Sequence, residues 1–256
     1  MEIRVLGSSG SENPGMNPTA FLIDDFLLLD AGTVSLALDI ESQNKITHIF
    51  LTHAHLDHIK AIPFLADNIA AARHCQSRIT ILSGRDVIGD LKRYVFNNKI
   101  WPDFTLLPTS GNPIMHYQAI SPARFTQVGD YRVFATRVHH AVPAYGYIIA
   151  TPSDDALVYT GDTGPTDRIW KRAGDFNVKA LLVEVSFPDE LAKLALNSGH
   201  LTPSLLKKEL RKLPFLPENI YVTHLKPHYR QEIEAQLAGL DGIPLTVLSD
   251  DMSFSL

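Results

Sequence analysis

The sequence has a single cysteine, Cys75, in 256 residues, which excludes an internal disulfide framework and fits a reducing compartment. It also lacks a basic excess, because 23 Lys and Arg stand against 28 Asp and Glu and give a formal net charge of -5. Nucleic-acid-binding surfaces are usually basic, so no stable nucleic-acid partner is expected. No apolar run approaches the roughly 20 residues of a membrane span, so no membrane association is expected either.

The chain also begins without a basic segment followed by a long apolar run, the pattern of a secretory signal. Its first residues have the pattern of a strand, and we therefore expect a cytoplasmic protein. Hydrophobic residues make up 45% of the chain, which is enough for a sizeable core. No linker or low-complexity tract interrupts the sequence, which predicts one domain over residues 1–256.

Short apolar segments bounded by Gly, Pro, Asp and Ser indicate many strands. The predicted strands are 3–6, 20–24, 26–30, 47–52, 78–82, 131–138, 145–151, 156–160, 180–185, 219–223 and 245–248. The predicted helices are 60–73, 85–97, 203–213 and 231–240, the third supported by a capping Thr202 and by Pro203 in the first helical position. Because early strands precede any helix, we expect packed sheets with helices outside rather than a strict βαβ repeat.

The stretch LTHAHLDHIK concentrates metal-binding side chains at the end of a predicted strand. His53 and His55 point the same way because side chains alternate along a strand, and Asp57 and His58 can turn toward the same space. Imidazole and carboxylate suit Zn²⁺, Fe²⁺ and Mn²⁺. Four such groups exceed what one catalytic metal with an open position needs, so two neighbouring metals are expected. A histidine-rich surface turn is the alternative interpretation.

Two metals need further ligands, which should also lie where a strand ends in a turn. Three stretches qualify: VHHAVP with His139 and His140, YTGDT with Asp162, and VTHLK with His224. One histidine of the pair should face the metals, and a carboxylate at a strand tip could bridge two cations. The histidines expected to be packed or solvated are His48, His74 and His116.

These residues together resemble the metallo-β-lactamase superfamily, through the block HAHLDH, a later histidine, the aspartate of YTGDT and the histidine of VTHLKP. The resemblance implies an α+β fold, an αββα sandwich of two mixed sheets with helices outside and two divalent metals at one edge. Zinc is the expected metal, with manganese or iron as alternatives. The implied ligands are His53, His55 and His140 at one ion, Asp57, His58 and His224 at the other, and Asp162 bridging. His140 is preferred to His139 because HAVPAYGY resembles the phosphodiesterase branch of the superfamily.

Further stretches resemble the class II 3′,5′-cyclic-nucleotide phosphodiesterases over nearly the whole chain: LLLDAGT, VFNNKIWPDF, YTGDTGPTDRIW, VEVSFPDE, NSGHLTPSLLKKEL and VTHLKP. The resemblance implies a small cyclic nucleotide as substrate, cAMP or cGMP, and leaves room for a homodimer, since relatives on this fold often dimerise. The class pattern has a small Gly or Ser after HLDH, whereas this chain continues with Ile59, Lys60 and Ala61.

The expected chemistry is attack on phosphorus by a hydroxide held between two metals about 3.5–4 Å apart, with Asp57 or Asp162 orienting it. The 3′-oxygen would leave and give a 5′-monophosphate. A general acid should protonate this alkoxide. His200 in SGHLTP is the candidate, and Glu184 at the end of LLVEVS would hold its tautomer. A turn-pairing carboxylate and a helix-cap contact are the respective alternatives.

Substrate contacts are predicted where aromatic rings and amides mix after the second predicted helix, since rings stack bases and amides read their edges. The residues concerned are Phe96, Asn97, Asn98 and Trp101, and the alternative is a packed helix end. Lys226 and His228 could contact phosphate or lie in a solvated loop. Asp30 is a candidate acceptor for the second ring N–H of a metal histidine.

Three other functions remain open. A tRNA 3′-processing endonuclease would share the metals and the Glu–His pair, but the sequence shows no extended basic arm, and its charge is unfavourable for RNA. A thioester or lactone hydrolase could use the same fold without that pair. A catalytically silent nucleotide sensor would be expected to have lost some metal ligands.

Overall fold

The computed structural model describes residues 1–72 and 78–256. The strands, in chain order, are β1 (Glu2–Gly7), β2 (Ala20–Ile23), β3 (Leu27–Leu29), β4 (His48–Phe50), β5 (Ile79–Ser83), β6 (Pro108–Thr109), β7 (Asn112–Pro113), β8 (Met115–Ala119), β9 (Thr126–Val128), β10 (Tyr131–Arg137), β11 (Tyr145–Ala150), β12 (Asp155–Tyr159), β13 (Asn177–Glu184), β14 (Asn219–Thr223), β15 (Leu245–Val247) and β16 (Ser253–Ser255). The α-helices are α1 (Ile40–Gln43), α2 (Leu56–Ile59), α3 (Ile62–Ala71), α4 (Arg85–Asp90), α5 (Arg168–Ala173), α6 (Ala192–Ser198), α7 (Pro203–Leu210) and α8 (Arg230–Ala238).

Two mixed sheets form the centre of the fold. The first has the order β16-β1-β2-β3-β4-β5-β8 and the second the order β15-β14-β13-β12-β11-β10-β9. In the first, pairing is antiparallel from β16 to β3 and parallel from β3 to β8. The second repeats this pattern, with antiparallel pairing from β9 to β12 and parallel pairing from β12 to β15. A two-stranded ribbon, β6-β7, stands apart.

Two hydrophobic clusters show how the layers stack. The first contains residues of both sheets, such as Phe50 on β4 and Tyr147 on β11, whose rings meet edge to face at 5.2 Å. The second covers the other face of the second sheet, where Ile148 packs with Trp170 of α5 and Leu206 of α7. Because neighbouring residues of β11 enter different clusters, both faces of that sheet are buried. The predicted αββα sandwich is confirmed.

The predicted strands all appear within a few residues of their expected bounds, but several elements were missed. β8 and β16 are edge strands with exposed polar residues and give no apolar signal. The predicted helix 60–73 corresponds to α3, and the short helix α2 that precedes it was not predicted. The helix predicted over 85–97 ends in a π-helical turn, Leu91–Val95. Arg73, His74 and Cys75 lie outside the described residues.

The helices of the described residues are short. The longest, α3, has ten residues, and within 1–72 and 78–256 no helix has the length and apolar character needed to cross a bilayer.

Candidate metal centre

The residues predicted as metal ligands meet at one edge of the sandwich, where β4, β12 and β14 end. His53, His55, His140 and Asp162 form one group of potential ligand atoms within 4.8 Å of one another, and Asp57, His58 and His224 form another. Asp162 also groups with His200 and His224. It therefore lies near potential ligand atoms of both sets.

Individual distances place Asp162 at the centre of these side chains. Its Oδ2 lies 3.2 Å from Nε2 of His224 and 3.7 Å from Nε2 of His53, and its Oδ1 lies 3.4 Å from Nε2 of His58. Nε2 of His224 is also 3.4 Å from Oδ2 of Asp57. One carboxylate thus faces imidazoles of both predicted metal sets.

The histidines are oriented by hydrogen bonds made on their outer side. Four of them direct Nδ1 away from the centre: His58 to Oδ2 of Asp30 at 2.8 Å, His140 to the Gly199 carbonyl at 2.9 Å, His53 to Oγ1 of Thr52 at 2.9 Å, and His224 to Oγ of Ser186 at 2.9 Å. With Nδ1 as the donor, each ring presents the lone pair of Nε2 to the centre, as a metal ligand must. His55 differs and faces Nε2 of His140 with its Nδ1, at 3.3 Å.

Asp30 is the main acceptor of this outer layer. It is fully buried and accepts hydrogen bonds from Thr52 N at 2.8 Å, from Thr52 Oγ1 and from the Tyr159 hydroxyl at 2.6 Å, in addition to His58. Its backbone is left-handed, with φ at 56°, and His224 has φ at 64°. Such conformations cost free energy in non-glycine residues and cluster at functional sites. The hydrogen-bonding role expected of Asp30 is the one observed.

The donor set fits a divalent cation. Nε2 of His53 is buried and has no hydrogen-bond partner within the described part of the chain. Nε2 of His58 and Nε2 of His224 face each other at 3.3 Å, and two lone pairs at that distance repel unless a proton or a cation lies between them. Imidazole nitrogens and carboxylate oxygens are the ligands that zinc, manganese and iron accept. The His/Asp cluster can therefore bind divalent metal.

The charges in the cluster also favour a bound cation. Burial lowers the pKa of His53 well below its ordinary value, which keeps that ring neutral. Burial would raise the pKa of Asp162, but His224 and His58 hold it well below the usual range. Burial likewise opposes the charge on His58, yet Asp162 and Asp30 raise its pKa well above normal. Two buried carboxylates, Asp162 and Asp30, thus favour positive charge at this point of the cluster.

A second feature, the Glu184–His200 pair, lies beside this cluster. Oε1 of Glu184 is 2.7 Å from Nδ1 of His200, and both side chains are buried. Glu184 is anchored by Thr163 N at 3.1 Å and by the Ser186 hydroxyl at 2.9 Å. The cap of α7 is Thr202, whose hydroxyl accepts from Leu205 N, so His200 is not the helix cap.

The His200 ring stacks on His224 at 5.5 Å between centroids and meets His140 edge to face at 5.0 Å. Burial lowers the pKa of His200, but the neighbouring Glu184 carboxylate raises it above its ordinary value. A buried imidazole whose charged form is favoured by Glu184 therefore faces the metal ligands, and such a group can act as a proton donor.

Glycine allows two close approaches that position the site. Gly199 has φ at 72°, and a Cβ there would lie 2.7 Å from Cα of His140. The Gly199 carbonyl also accepts the hydrogen bond that orients the His140 ring. A Cβ on Gly10 would lie 2.4 Å from the His224 carbonyl oxygen. The turn after β1 thereby reaches the metal edge, and His224 N donates to the Ser8 carbonyl at 2.7 Å.

The stretch predicted to stack a nucleobase behaves as a packed helix end instead. Phe96 is 2% exposed and belongs to the first hydrophobic cluster, so its ring is not available to a ligand. The Asn97 side chain accepts from the backbone N–H groups of Lys99 and Ile100, and Asn98 accepts from Asp103 N at 3.0 Å. Trp101 packs edge to face on Phe64 at 5.3 Å. The prediction for Phe96 is wrong, because the apolar interior takes that ring.

The other predicted contacts lie on the segment that follows His224. The Lys226 ammonium is half-buried and donates to the Gly10 carbonyl, and His228 is exposed. His139 is exposed as well, whereas His140 belongs to the first ligand group. His48 and His116 are outside all three groups of the described chain.

Sequence reasoning missed the side chains that hold the ligands in place. Thr52, Tyr159 and Ser186 are buried at 0–1% exposure and each makes a hydrogen bond to Asp30 or Glu184. Each is a hydroxyl residue within four positions of a predicted ligand or of the Glu–His pair, at a strand end. A hydroxyl residue at an apolar strand end beside a candidate ligand was the signal available in the sequence, but it does not identify the hydrogen-bond partner.

Comparison with known proteins identifies relatives over most of the chain. Residues 24–225 match the model of the "Beta-lactamase superfamily domain". The chain is 27% identical to a Yersinia pestis protein named "Probable 3′,5′-cyclic-nucleotide phosphodiesterase", over 90% of this chain and 79% of that one. It is 24% identical to "Ribonuclease Z" of Pyrobaculum aerophilum, over 90% of this chain and 88% of that one. The crystal structure of unliganded yeast PDE1 superposes with a TM-score of 0.84 at 20% identity, over 100% and 99% of the two chains.

Proposed function

The chain belongs to the beta-lactamase superfamily, and from that membership we propose that it is a metal-dependent hydrolase that converts 3′,5′-cyclic nucleotides to 5′-monophosphates. The observation that carries the proposal is the Glu184–His200 pair beside the His/Asp cluster. A cyclic phosphodiester has an alkoxide leaving group, and this pair supplies the proton that such a group needs. The name of the Yersinia pestis relative supports the same substrate class.

The proposed metal ligands are the seven residues predicted from the sequence. His53, His55 and His140 would hold one ion, Asp57, His58 and His224 the other, and Asp162 both. Two divalent ions, with zinc favoured by the histidine-rich set, would polarise a phosphoryl oxygen. They would also lower the pKa of a water molecule, so that hydroxide is available at neutral pH.

Asp57 differs from Asp162 in its exposure to solvent, and this difference suggests its role. The Asp57 side chain is 26% exposed, whereas that of Asp162 is 3% exposed. Burial would raise the pKa of Asp57, but His224 and His58 hold it well below its usual range. An ionised, accessible carboxylate can accept a hydrogen bond from the attacking water and orient it toward phosphorus. Asp162, which is enclosed, is better placed to hold the ligands together.

His200 would act on the leaving group, whereas Asp57 would act on the attacking water. Its Nδ1–H bond to Glu184 leaves Nε2 as the position that carries the transferable proton. The Glu184 carboxylate raises the pKa of His200 and so favours the protonated ring, and proton transfer to the 3′-oxygen would release the ring-opened product. The Glu184 carboxylate then stabilises the correct tautomer of the neutral imidazole.

Product analysis tests the proposal directly. Metal-loaded protein is incubated with cAMP, cGMP, bis(p-nitrophenyl) phosphate and a precursor tRNA, with and without chelator. Formation of a 5′-monophosphate that stops on chelation is the expected result. Cleavage of the tRNA with intact cyclic nucleotides would instead assign the activity named for the Pyrobaculum aerophilum relative. Hydrolysis of a thioester or lactone alone, or metal binding without any turnover, would contradict the phosphodiesterase proposal.

A further inference from the structure

A cavity of about 670 Å³ opens beside the Glu184–His200 pair, and neither the metal ligands nor the proposed mechanism uses it. Its walls include Glu12 and Asn13 from the turn after β1, Phe187 after β13, and Lys226, His228 and Tyr229 after β14. Small-molecule sites span about 300–1,000 Å³ and combine aromatic walls with a few polar groups. The size and lining of this cavity therefore suit a ligand of nucleoside dimensions.

Aromatic rings connect the cavity to the site of chemistry. His200 stacks on His224 at 5.5 Å, Phe187 meets His200 edge to face at 5.7 Å, and Phe187 lies 6.1 Å from Tyr229. Phe187 is 8% exposed, whereas Tyr229 is only partly buried and presents more of its surface. The cavity thus begins one ring beyond His200, the residue that would protonate the leaving 3′-oxygen.

The walls are held in place by the same segments that position the metal ligands. Ser9 forms a parallel bridge with Leu225, and Gly10 N donates to the Leu225 carbonyl at 3.1 Å. Ser186 N, next to Phe187, donates to the Leu201 carbonyl at 3.1 Å. Of the wall residues, Glu12 pairs with the Lys60 ammonium of another segment at 2.5 Å. A site formed in advance loses little conformational entropy on binding.

Resting on the proposed function, we propose that this cavity is the nucleobase subsite. The Tyr229 ring provides the stacking surface, Phe187 supports it, and Asn13 offers an amide to the edge of the base. Lys226, two positions after His224, supplies positive charge at the phosphate end of the ligand. This assignment replaces the stretch around Phe96, whose ring is in the core.

The test compares two ligands that differ only in the base. Binding of 5′-AMP and of ribose 5-phosphate to the metal-loaded protein is measured by isothermal titration calorimetry. The ratio of the two dissociation constants measures the contribution of the base to binding. We expect 5′-AMP to bind about tenfold more tightly or better, as one stacked base contributes. Tyr229→Leu should reduce that ratio toward one, while Tyr229→Phe, which keeps the ring, should preserve it.

A matched control addresses the other aromatic pair, Phe64 and Trp101. Phe64 is 53% exposed and packs on Trp101, so Phe64→Leu removes a comparable ring outside the cavity. An unchanged ratio in Phe64→Leu is expected. A ratio that falls in Phe64→Leu but not in Tyr229→Leu would overturn the assignment. If Tyr229→Leu fails to fold, Phe187→Leu provides the second variant, with the same expected fall.

Failure of this inference can be separated from failure of the proposed function. If the wild-type protein hydrolyses cAMP and the ratio is insensitive to Tyr229 and Phe187, the subsite is wrong and the activity stands. If cAMP is not hydrolysed but the ratio depends on Tyr229, the base site stands and the reaction is wrong. A ratio near one in the wild-type protein excludes a base subsite altogether.

Discussion

His200 directs Nδ1 to Oε1 of Glu184 at 2.7 Å while its ring stacks on His224 at 5.5 Å. One imidazole thus connects a buried carboxylate to a proposed metal ligand. Its position allows two roles, a proton donor or a further ligand, since His200 also groups with Asp162 and His224. Substitution of His200 separates these roles.

We predict that His200→Ala retains both metals and loses about 10²–10⁴-fold in kcat on cyclic nucleotide, the usual contribution of a general acid. The loss should be much smaller on bis(p-nitrophenyl) phosphate, because p-nitrophenolate leaves without protonation. Metal content is measured by elemental analysis and turnover by product formation. His116→Ala, on the exposed edge of β8, is the control. A loss of metal in His200→Ala would show that His200 is a ligand.

Asp162→Ala is expected to lower metal content and turnover together. This carboxylate lies within 3.7 Å of three imidazoles, and its removal takes away the negative charge that His53, His58 and His224 share. Asp67→Ala, an exposed carboxylate on α3, should leave both quantities unchanged. Full metal occupancy in Asp162→Ala would exclude it as the bridge between the two ions.

Asp30→Asn tests the outer hydrogen bonds. The amide keeps the shape but replaces one acceptor oxygen with a donor, so at least one bond from Thr52, Tyr159 or His58 is lost. Loss of such a partner typically reduces metal affinity about 10–100-fold. Competition with a chromogenic chelator measures the change. Tyr159→Phe removes only one bond and should have a smaller effect; equal effects would mean that the His58 contact is unimportant.

The meeting of the candidate ligands could be predicted from the sequence more readily than the hydrogen bonds that orient them. Ligands such as His53 and Asp162 follow apolar strands, and a parallel sheet brings strand ends to one edge, so their meeting could be anticipated. The contacts of Ser186 and Tyr159 depend on how two sheets are stacked, and strand periodicity carries no information about that. Phe96 was misplaced because an aromatic residue near a helix end has the same local pattern whether it enters the core or lines a ligand site.

The last prediction concerns Glu209, a buried carboxylate on α7 that is remote from the ligand set in sequence. It accepts from the Trp170 indole N–H at 2.7 Å and from Thr166 N at 3.0 Å, and it pairs with the Lys212 ammonium at 2.8 Å. Glu209→Ala leaves the buried Trp170 and Thr166 donors without their acceptor, whereas Lys212 keeps Asp167 as a partner. Such a loss costs about 3 kcal/mol. For a chain of this size that corresponds to a fall in Tm of about 6–12 °C.

Two matched variants show whether the buried hydrogen bonds or the ion pair carry this stability. Glu209→Gln keeps an acceptor for Trp170 and Thr166 but cannot pair with Lys212, so an intermediate fall in Tm is expected. Glu218→Ala removes an exposed partner of Lys179 and should leave Tm nearly unchanged, because solvent-exposed ion pairs contribute little to stability. Differential scanning calorimetry on metal-loaded protein gives all three values. If Glu209→Ala melted as Glu218→Ala does, the carboxylate would not hold α5 and α7 together, and the apolar contacts of Trp170 and Leu206 would suffice.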